Sequence, residues 1–127
     1  MAKCLNNKNE VLGLGNCQCD ELTFDEERMF YYLKENKPYS GLCITYNNNG
    51  TLNLTKEFTD GKLEGKMIRY RQNGKKLSIV EFHNNQINGK AVILDINEKD
   101  SIIQHYKSGI LIRNWHQCFK WSINLLL

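Results

Sequence analysis

Long apolar runs, proline and histidine are all scarce in this 127-residue chain, and each scarcity excludes something. The stretch Val11-Leu12-Gly13-Leu14-Gly15 is far too short for a membrane helix or the apolar region of a leader, and Met1-Ala2-Lys3-Cys4-Leu5-Asn6 before it is polar. The expectation is therefore a cytoplasmic chain. There its five cysteines stay reduced; an odd number cannot all pair within one chain. Cys17-Gln18-Cys19 invites a metal reading, with Cys4 or a histidine completing the set. Structural zinc, however, usually takes two paired ligand motifs, and only one tight pair is present. No metal or cofactor is expected. The single proline, Pro38, suits a turn or a sheet edge.

Charge is also modest. The net +3 does not by itself demand nucleic acid, although the charges are unevenly placed. Asp20, Glu21, Asp25, Glu26, Glu27 and Glu35 crowd the early chain, whereas Lys62, Lys66, Arg69, Arg71, Lys75 and Lys76 crowd the middle. Such runs are read first as solvated strand faces and charged turns. The sharper reading makes the six bases a binding stripe for an acidic partner or anionic lipid. No aromatic residues line up beside Arg69 and Arg71 to stack bases, so nucleic acid is not expected as a partner. Strand alternation should also keep the six bases from forming one patch, with Arg69 and Arg71 opposite Tyr70.

What the chain does have is a period. Gly41, Gly65 and Gly89 fall 24 residues apart, and columns of large apolar residues keep step with them. Ile44, Ile68 and Val92 form one column, and Tyr46, Tyr70 and Leu94 a second. Phe58, Phe82 and Tyr106 form a third, and Leu63, Ile87 and Leu111, preceded by Tyr39, a fourth. These residues are the expected repeat core, each unit packing the same side chains against its neighbour.

The grammar of the repeat is β. Ile44 and Tyr46 alternate with Cys43 and Thr45, and Ile68 and Tyr70 with Met67 and Arg69, as a strand with one buried face requires. Asn49-Gly50 and Asn73-Gly74 predict tight primed turns. The column Gly61, Asn85, Gly109 holds only residues that reach left-handed conformations cheaply. The fold class predicted is all-β: a single-sheet antiparallel meander of stacked hairpins, about six strands over 41–112, with a C-terminal cap.

The ends are predicted separately. Residues 1–29 lie outside the repeat frame, with Phe24 to Arg28 starting either a short helix or a strand. Phe30-Tyr31-Tyr32 and Tyr39-Ser40-Gly41 read as the remains of an earlier unit, so the repeats span 30–112. In the third unit Glu98 replaces glycine, which predicts a longer or differently shaped turn. Its first strand, Ala91 to Ile96, is apolar nearly throughout, which predicts cover on both faces. Residues 113–127, with Trp115, Phe119, Trp121 and three closing leucines, are expected to supply that cover as a cap, or to form a homodimer interface.

Catalytic chemistry is not expected. His83, His105 and His116 occupy different columns, with no nucleophile beside His83 or His105. Glu57 and Glu81 recur at the repeat period, as rungs facing lysine or arginine rather than an acid/base pair. The glycines are spaced for turns and not for cradling phosphate.

A tyrosine, an Asn-Gly turn, an aromatic and a close of the form (Asp/Asn)-Gly-Lys-Leu-x-Gly, repeated every 24 residues, resembles the MORN-repeat variant of bacterial proteins. Residues 41–65 carry the likeness best, through Tyr46, Asn49-Gly50, Leu52, Phe58, Asp60-Gly61-Lys62-Leu63 and Gly65. The second copy keeps Tyr70, Asn73-Gly74, Phe82 and Asn88-Gly89, and the third little beyond Tyr106 and Gly109. The resemblance implies an elongated β-meander used for contact with a protein or a lipid surface, and such proteins are often labelled antitoxin components. Some MORN-bearing chains are labelled phosphatidylinositol-phosphate kinases, but the kinase domain of those proteins has no counterpart here. The functional expectation is a non-catalytic module for protein–protein interaction, antitoxin-like, with peripheral binding of anionic lipid as the alternative.

Overall fold

Two kinds of turn alternate along the chain, and between them they define every strand of the repeat. The first kind covers residues 47–50, 71–74 and 95–98. In each, the first residue's carbonyl accepts the fourth residue's N–H at 2.9 Å, as in Gly50 to Asn47, Gly74 to Arg71 and Glu98 to Asp95. Only the fourth residue has positive φ, at +89° for Gly50, +91° for Gly74 and +62° for Glu98. These are type I turns closed by a left-handed residue, and not the primed turns that Asn-Gly predicts. The reason lies in the asparagines. Asn49 Oδ1 accepts the N–H of Thr51 at 3.1 Å, and Asn73 Oδ1 that of Lys75 at 2.9 Å. Those local bonds hold the asparagine in its ordinary conformation. The third turn, expected to differ, has the same form, because the Glu98 carboxylate accepts the N–H of Lys76 at 2.6 Å and so is tied to the preceding hairpin.

The second kind is the primed turn, at 60–61, 84–85 and 108–109. Both central residues have positive φ, from +49° at Asp60 and Ser108 to +85° at Gly109. Each turn is bonded to the unit before it: Gly61 N–H donates to Tyr39 C=O (2.7 Å), Asn85 to Leu63 (3.1 Å) and Gly109 to Ile87 (2.8 Å). A side chain completes each tie. Ser40, Glu64 and Asn88 accept the N–H groups of Asp60, Asn84 and Ser108 at 2.8, 3.0 and 2.8 Å.

The computed structural model describes residues 15–34 and 37–116. It contains strands β1 (Gly15–Gln18), β2 (Thr23–Asp25), β3 (Phe30–Tyr32), β4 (Gly41–Tyr46), β5 (Leu52–Thr59) and β6 (Lys62–Tyr70). These are followed by β7 (Lys76–His83), β8 (Gln86–Leu94), β9 (Asp100–Lys107) and β10 (Ile110–His116). Cys19–Glu21 is a single 3-10 turn. Eight strands make one open sheet in the order β1-β4-β5-β6-β7-β8-β9-β10, antiparallel except that β1 runs parallel to β4. The meander of stacked hairpins is thus as the period predicts.

Register assigns the faces. Phe58 pairs with Leu63, Phe82 with Ile87 and Tyr106 with Leu111, all on one face, termed here the hairpin face. Ile44, Thr55, Ile68, Ile79, Val92 and Ile103 form a row across the opposite face, where Tyr46, Tyr70 and Leu94 also lie. The expected repeat core is therefore split between two sides of one layer. Among the described residues, a continuous buried core is found at the N-terminal end of the hairpin face, where Cys17, Tyr39, Cys43 and Phe58 are buried, with Leu63 packed against them. The β2–β3 hairpin covers it through Tyr31, whose ring lies 5.1 Å from Phe58 and 4.8 Å from Phe24. Tyr46 and Leu111, by contrast, are 50% and 44% exposed.

The ends differ from their predictions in three ways, and residues 15–18, predicted only to lie outside the repeat frame, join the main sheet as its edge strand. Phe24 belongs to β2, which pairs with β3 in a separate hairpin, so Phe30 to Tyr32 is not part of an earlier repeat unit. Residues 113–116 run on as part of β10, paired with β9, and do not turn back as a cap; residues 117–127 lie outside the described residues. The strand after Ala91 is covered on one side only, with Val92 and Leu94 buried but Ile93 and Ile96 exposed. The thiols also differ from expectation, since Cys19 and Cys43 form a disulfide with a Cα separation of 4.8 Å. Closing a loop of 24 residues contributes roughly 3–4 kcal/mol on the chain-entropy account.

The repeating glycine has its own cause. Between β7 and β8 the register slips from Val80–Ala91 to Phe82–Ile87, so extra β8 residues bulge opposite Glu81. The Glu81 carboxylate fills the notch, accepting the N–H of Lys90 at 2.9 Å, and a Cβ on Gly89 (φ +111°) would collide with it. Gly65 stands in the same relation to Glu57. The glutamates are thus bulge fillers, and Glu81 in addition opposes Lys66 across the β6–β7 pair. Where Glu gives way to His105, Arg113 stands opposite in place of glycine, and the register there slips by less.

Two stability measurements check this account. Gly89→Ala should cost about 1–3 kcal/mol in a urea melt, and adding Glu81→Ala should relieve the collision but not the backbone strain, restoring only part of the loss. Phe58→Ala should cost about 3–5 kcal/mol, against under about 0.5 kcal/mol for Tyr46→Ala. Similar costs for the two would refute the one-ended core.

Candidate functional site

The six bases of the middle chain do not share a surface. Lys66 opposes Glu81 on the row face, whereas Arg69 opposes Ser78 on the hairpin face. Arg71 lies beyond the end of β6 and does not accompany Arg69. Its Nη2 donates to the Leu94 carbonyl at 2.9 Å, across to the next unit. Lys75 and Lys76 follow the turn, and Lys62 begins β6 at the opposite end of the strand. Strand pleat and strand length together disperse the charge that looks clustered in one dimension.

What the register brings together instead is an apolar hollow on the hairpin face, about 390 Å³ in volume. Ser78, Val80, Ala91 and Ile93 lie at its centre, Ile87 and Tyr106 at one end, and Arg69 and Gln104 supply polar groups. Tyr106 Oη donates to Gln104 Oε1 at 3.3 Å, which orients both side chains. The hollow exists because small residues sit where other units carry large ones. Leu54 and Ile102 correspond to Ser78, and Met67 corresponds to Ala91. The repeat alignment held that signal, but it is visible only once the columns are assigned to faces. The same face is covered by β2–β3 at its other end, and among the described residues no element lies over the hollow.

A second polar cluster lies at the closing turn of the second unit. His83 Nδ1 is 2.7 Å from Glu64 Oε2, and Glu64 Oε1 accepts the N–H of Asn84 at 3.0 Å. The hydrogen bond from His83, then that from Asn84, holds the Glu64 carboxyl below its ordinary value. The arrangement has the residues of an acid/base pair but the setting of a structural tie. Ser40 and Asn88 occupy the same column and accept the same turn N–H without titrating, and His83 is exposed. His105 faces Lys90 and Arg113 in register, apart from His83. Among the described residues no group of three or more His, Cys, Asp or Glu side chains is placed to hold a metal.

No family model, curated protein or solved structure matches the chain.

The Glu64 tie carries a pH signature. A carboxyl whose folded value is lowered contributes stability fully present above its ordinary value of 4.5 and lost as pH falls through the lowered folded value. Wild type should therefore exceed Glu64→Gln in urea midpoint at neutral pH, and the two should converge in acid, below the ordinary carboxylate range. A difference that stays constant with pH would show that the charge of Glu64 contributes nothing.

Proposed function

We propose that this chain is a non-catalytic binding module whose hairpin face receives a protein partner at the apolar hollow. The observation that carries the reading is the hollow between β6 and β9, over which no element lies among the described residues. A single-layer sheet that buries one end of a face under its own hairpin leaves the other end to be buried by something else. Arg69 and Gln104 among the apolar residues suit an occupant that presents an apolar ridge flanked by a carboxylate. The resemblance to MORN-repeat variants agrees with this reading, and an antitoxin-like role is the form it implies. Anionic lipid is the weaker reading, because the six bases that suggested it lie on different faces and Arg71 is already engaged.

The test is affinity capture from the native cell with matched variants. Ile93→Glu changes an exposed residue of the hollow and should abolish recovery of a stoichiometric partner, while its unfolding free energy stays within about 0.5 kcal/mol of wild type. Lys75→Ala, which does not line the hollow, should retain the partner. Vesicles of anionic lipid should not sediment the protein at physiological salt. Capture that survives Ile93→Glu, or binding that needs only negatively charged vesicles, would overturn the proposal.

A further inference from the structure

Three of the five cysteines meet at the N-terminal end of the sheet, and only two of them can be bonded at once. Cys43 is fully buried and bridged to Cys19. Cys17, a free thiol at 3% exposure, is the direct register partner of Cys43 across the parallel β1–β4 pair, and both belong to one core cluster against which Cys19 packs. Neighbouring strands lie about 4.8 Å apart, inside the Cα window of roughly 4.4–6.8 Å that a disulfide needs. Cys43 therefore has two cysteines at bonding distance of the backbone.

The local structure explains how both come within reach. On a continuing strand Cys19 would lie on the same face as Cys17 but one pleat further along. β1 stops at Gln18, however, and the 3-10 turn of Cys19–Glu21 begins. The Gln18 N–H donates to Glu21 Oε1 at 3.1 Å, holding that turn against the strand end. This brings the Cys19 Cα within 4.8 Å of the Cys43 Cα.

We propose that Cys17, Cys19 and Cys43 form an internal thiol–disulfide exchange site, in which the bridge to Cys43 passes between Cys19 and Cys17. The Cys17 thiol loses its proton to water, and its sulfur attacks Cys43 Sγ. A Cys17–Cys43 bond forms, the Cys43–Cys19 bond breaks, and its electron pair leaves on Cys19 Sγ, which takes a proton from solvent. One disulfide and one thiol are present before and after, so no oxidant or reductant is consumed. The leaving sulfur belongs to a half-buried residue, where water can solvate the departing thiolate. The attacking thiol is raised above its ordinary value by burial, which keeps the thiolate scarce and the exchange slow. Exchange moves the free thiol from a buried strand position to a half-exposed turn, and replaces a tether through the turn by one directly between strands.

The wild-type full-length protein tests this without any substitution. Air-oxidised protein is incubated in native buffer at mildly alkaline pH with iodoacetamide and no reductant, then quenched and digested in acid so that bridges no longer move. Fragmentation at the Gln18 peptide bonds assigns alkyl group and bridge to Cys17 or Cys19. The expected product carries the alkyl group on Cys19 and a Cys17–Cys43 bridge, accumulating with time. Cys17→Ser should lose the labelling of Cys19 and keep the Cys19–Cys43 bridge, and Cys19→Ser should be isolated with Cys17 and Cys43 bridged. Labelling of Cys17 with Cys19–Cys43 intact would overturn the proposal. So would absence of label at Cys19 when denatured protein labels readily, or a bridge that joins Cys17 to Cys19 or Cys43 to Cys4 or Cys118.

Discussion

One layer of sheet has two faces, and this chain has a single hairpin among its described residues with which to cover them. Every strand side chain must point to one face or the other, because successive residues alternate across the pleat. The β2–β3 hairpin lies over β4 to β6 and, among the described residues, produces the one cluster of buried residues packed as a core, around Cys43 and Phe58. Further along, the same face has no such cover among the described residues and becomes the hollow around Ala91. Position of the core, exposure of the apolar columns and location of the candidate site all follow from that shortage.

With so little burial, continuity along the array depends on hydrogen bonds that repeat with the sequence. Each primed turn donates an N–H to a backbone carbonyl of the preceding unit, and each also donates one to a side chain from the column of Ser40, Glu64 and Asn88. The column preserves an acceptor and changes everything else, from a hydroxyl to a carboxylate to an amide. Glu98 makes the same point from the other side. It occupies a left-handed position that glycine holds in the first two units, and it is held there by a bond to Lys76 that glycine could not make. The repeat is thus maintained by geometry at the turns more than by identity of the residues.

This explains which parts of the fold were legible in the sequence. Period, strand alternation and the closing turns are local, so Gly61, Asn85 and Gly109 reveal the primed turns and the meander follows. Face assignment depends on register, and register depends on a bulge whose cause is a contact between Glu81 and Gly89 on neighbouring strands. Without that contact, four apolar columns look like one core. The bridge from Cys19 to Cys43 was hidden for a related reason, because nothing along the chain indicates that β1 returns to lie parallel with β4. The candidate site was the least legible part. Six bases close in sequence are dispersed in space, while the hollow is signalled only by Leu54 giving way to Ser78 and Met67 to Ala91.

The two edges of the sheet meet the problem of unpaired strands by different physics. At one edge, a short parallel strand adds to β4 and is fastened by a covalent link, so that four residues suffice where hydrogen bonds alone would hold such a strand weakly. The price of that solution is a crossover filled by the β2–β3 hairpin, and the hairpin is also what covers the core. At the other edge, β10 continues the meander with Ile110 and Ile112 67% and 63% exposed. A long edge strand carrying exposed apolar residues is the feature that natural sheets usually blunt with charge, proline or a covering element. Among the described residues, the covered edge and the covered end of the hairpin face coincide, as do the open edge and the open hollow. The asymmetry of the molecule therefore has one origin: a single N-terminal segment supplies the last strand, the sulfur tether and the lid, and it supplies all three at the same end.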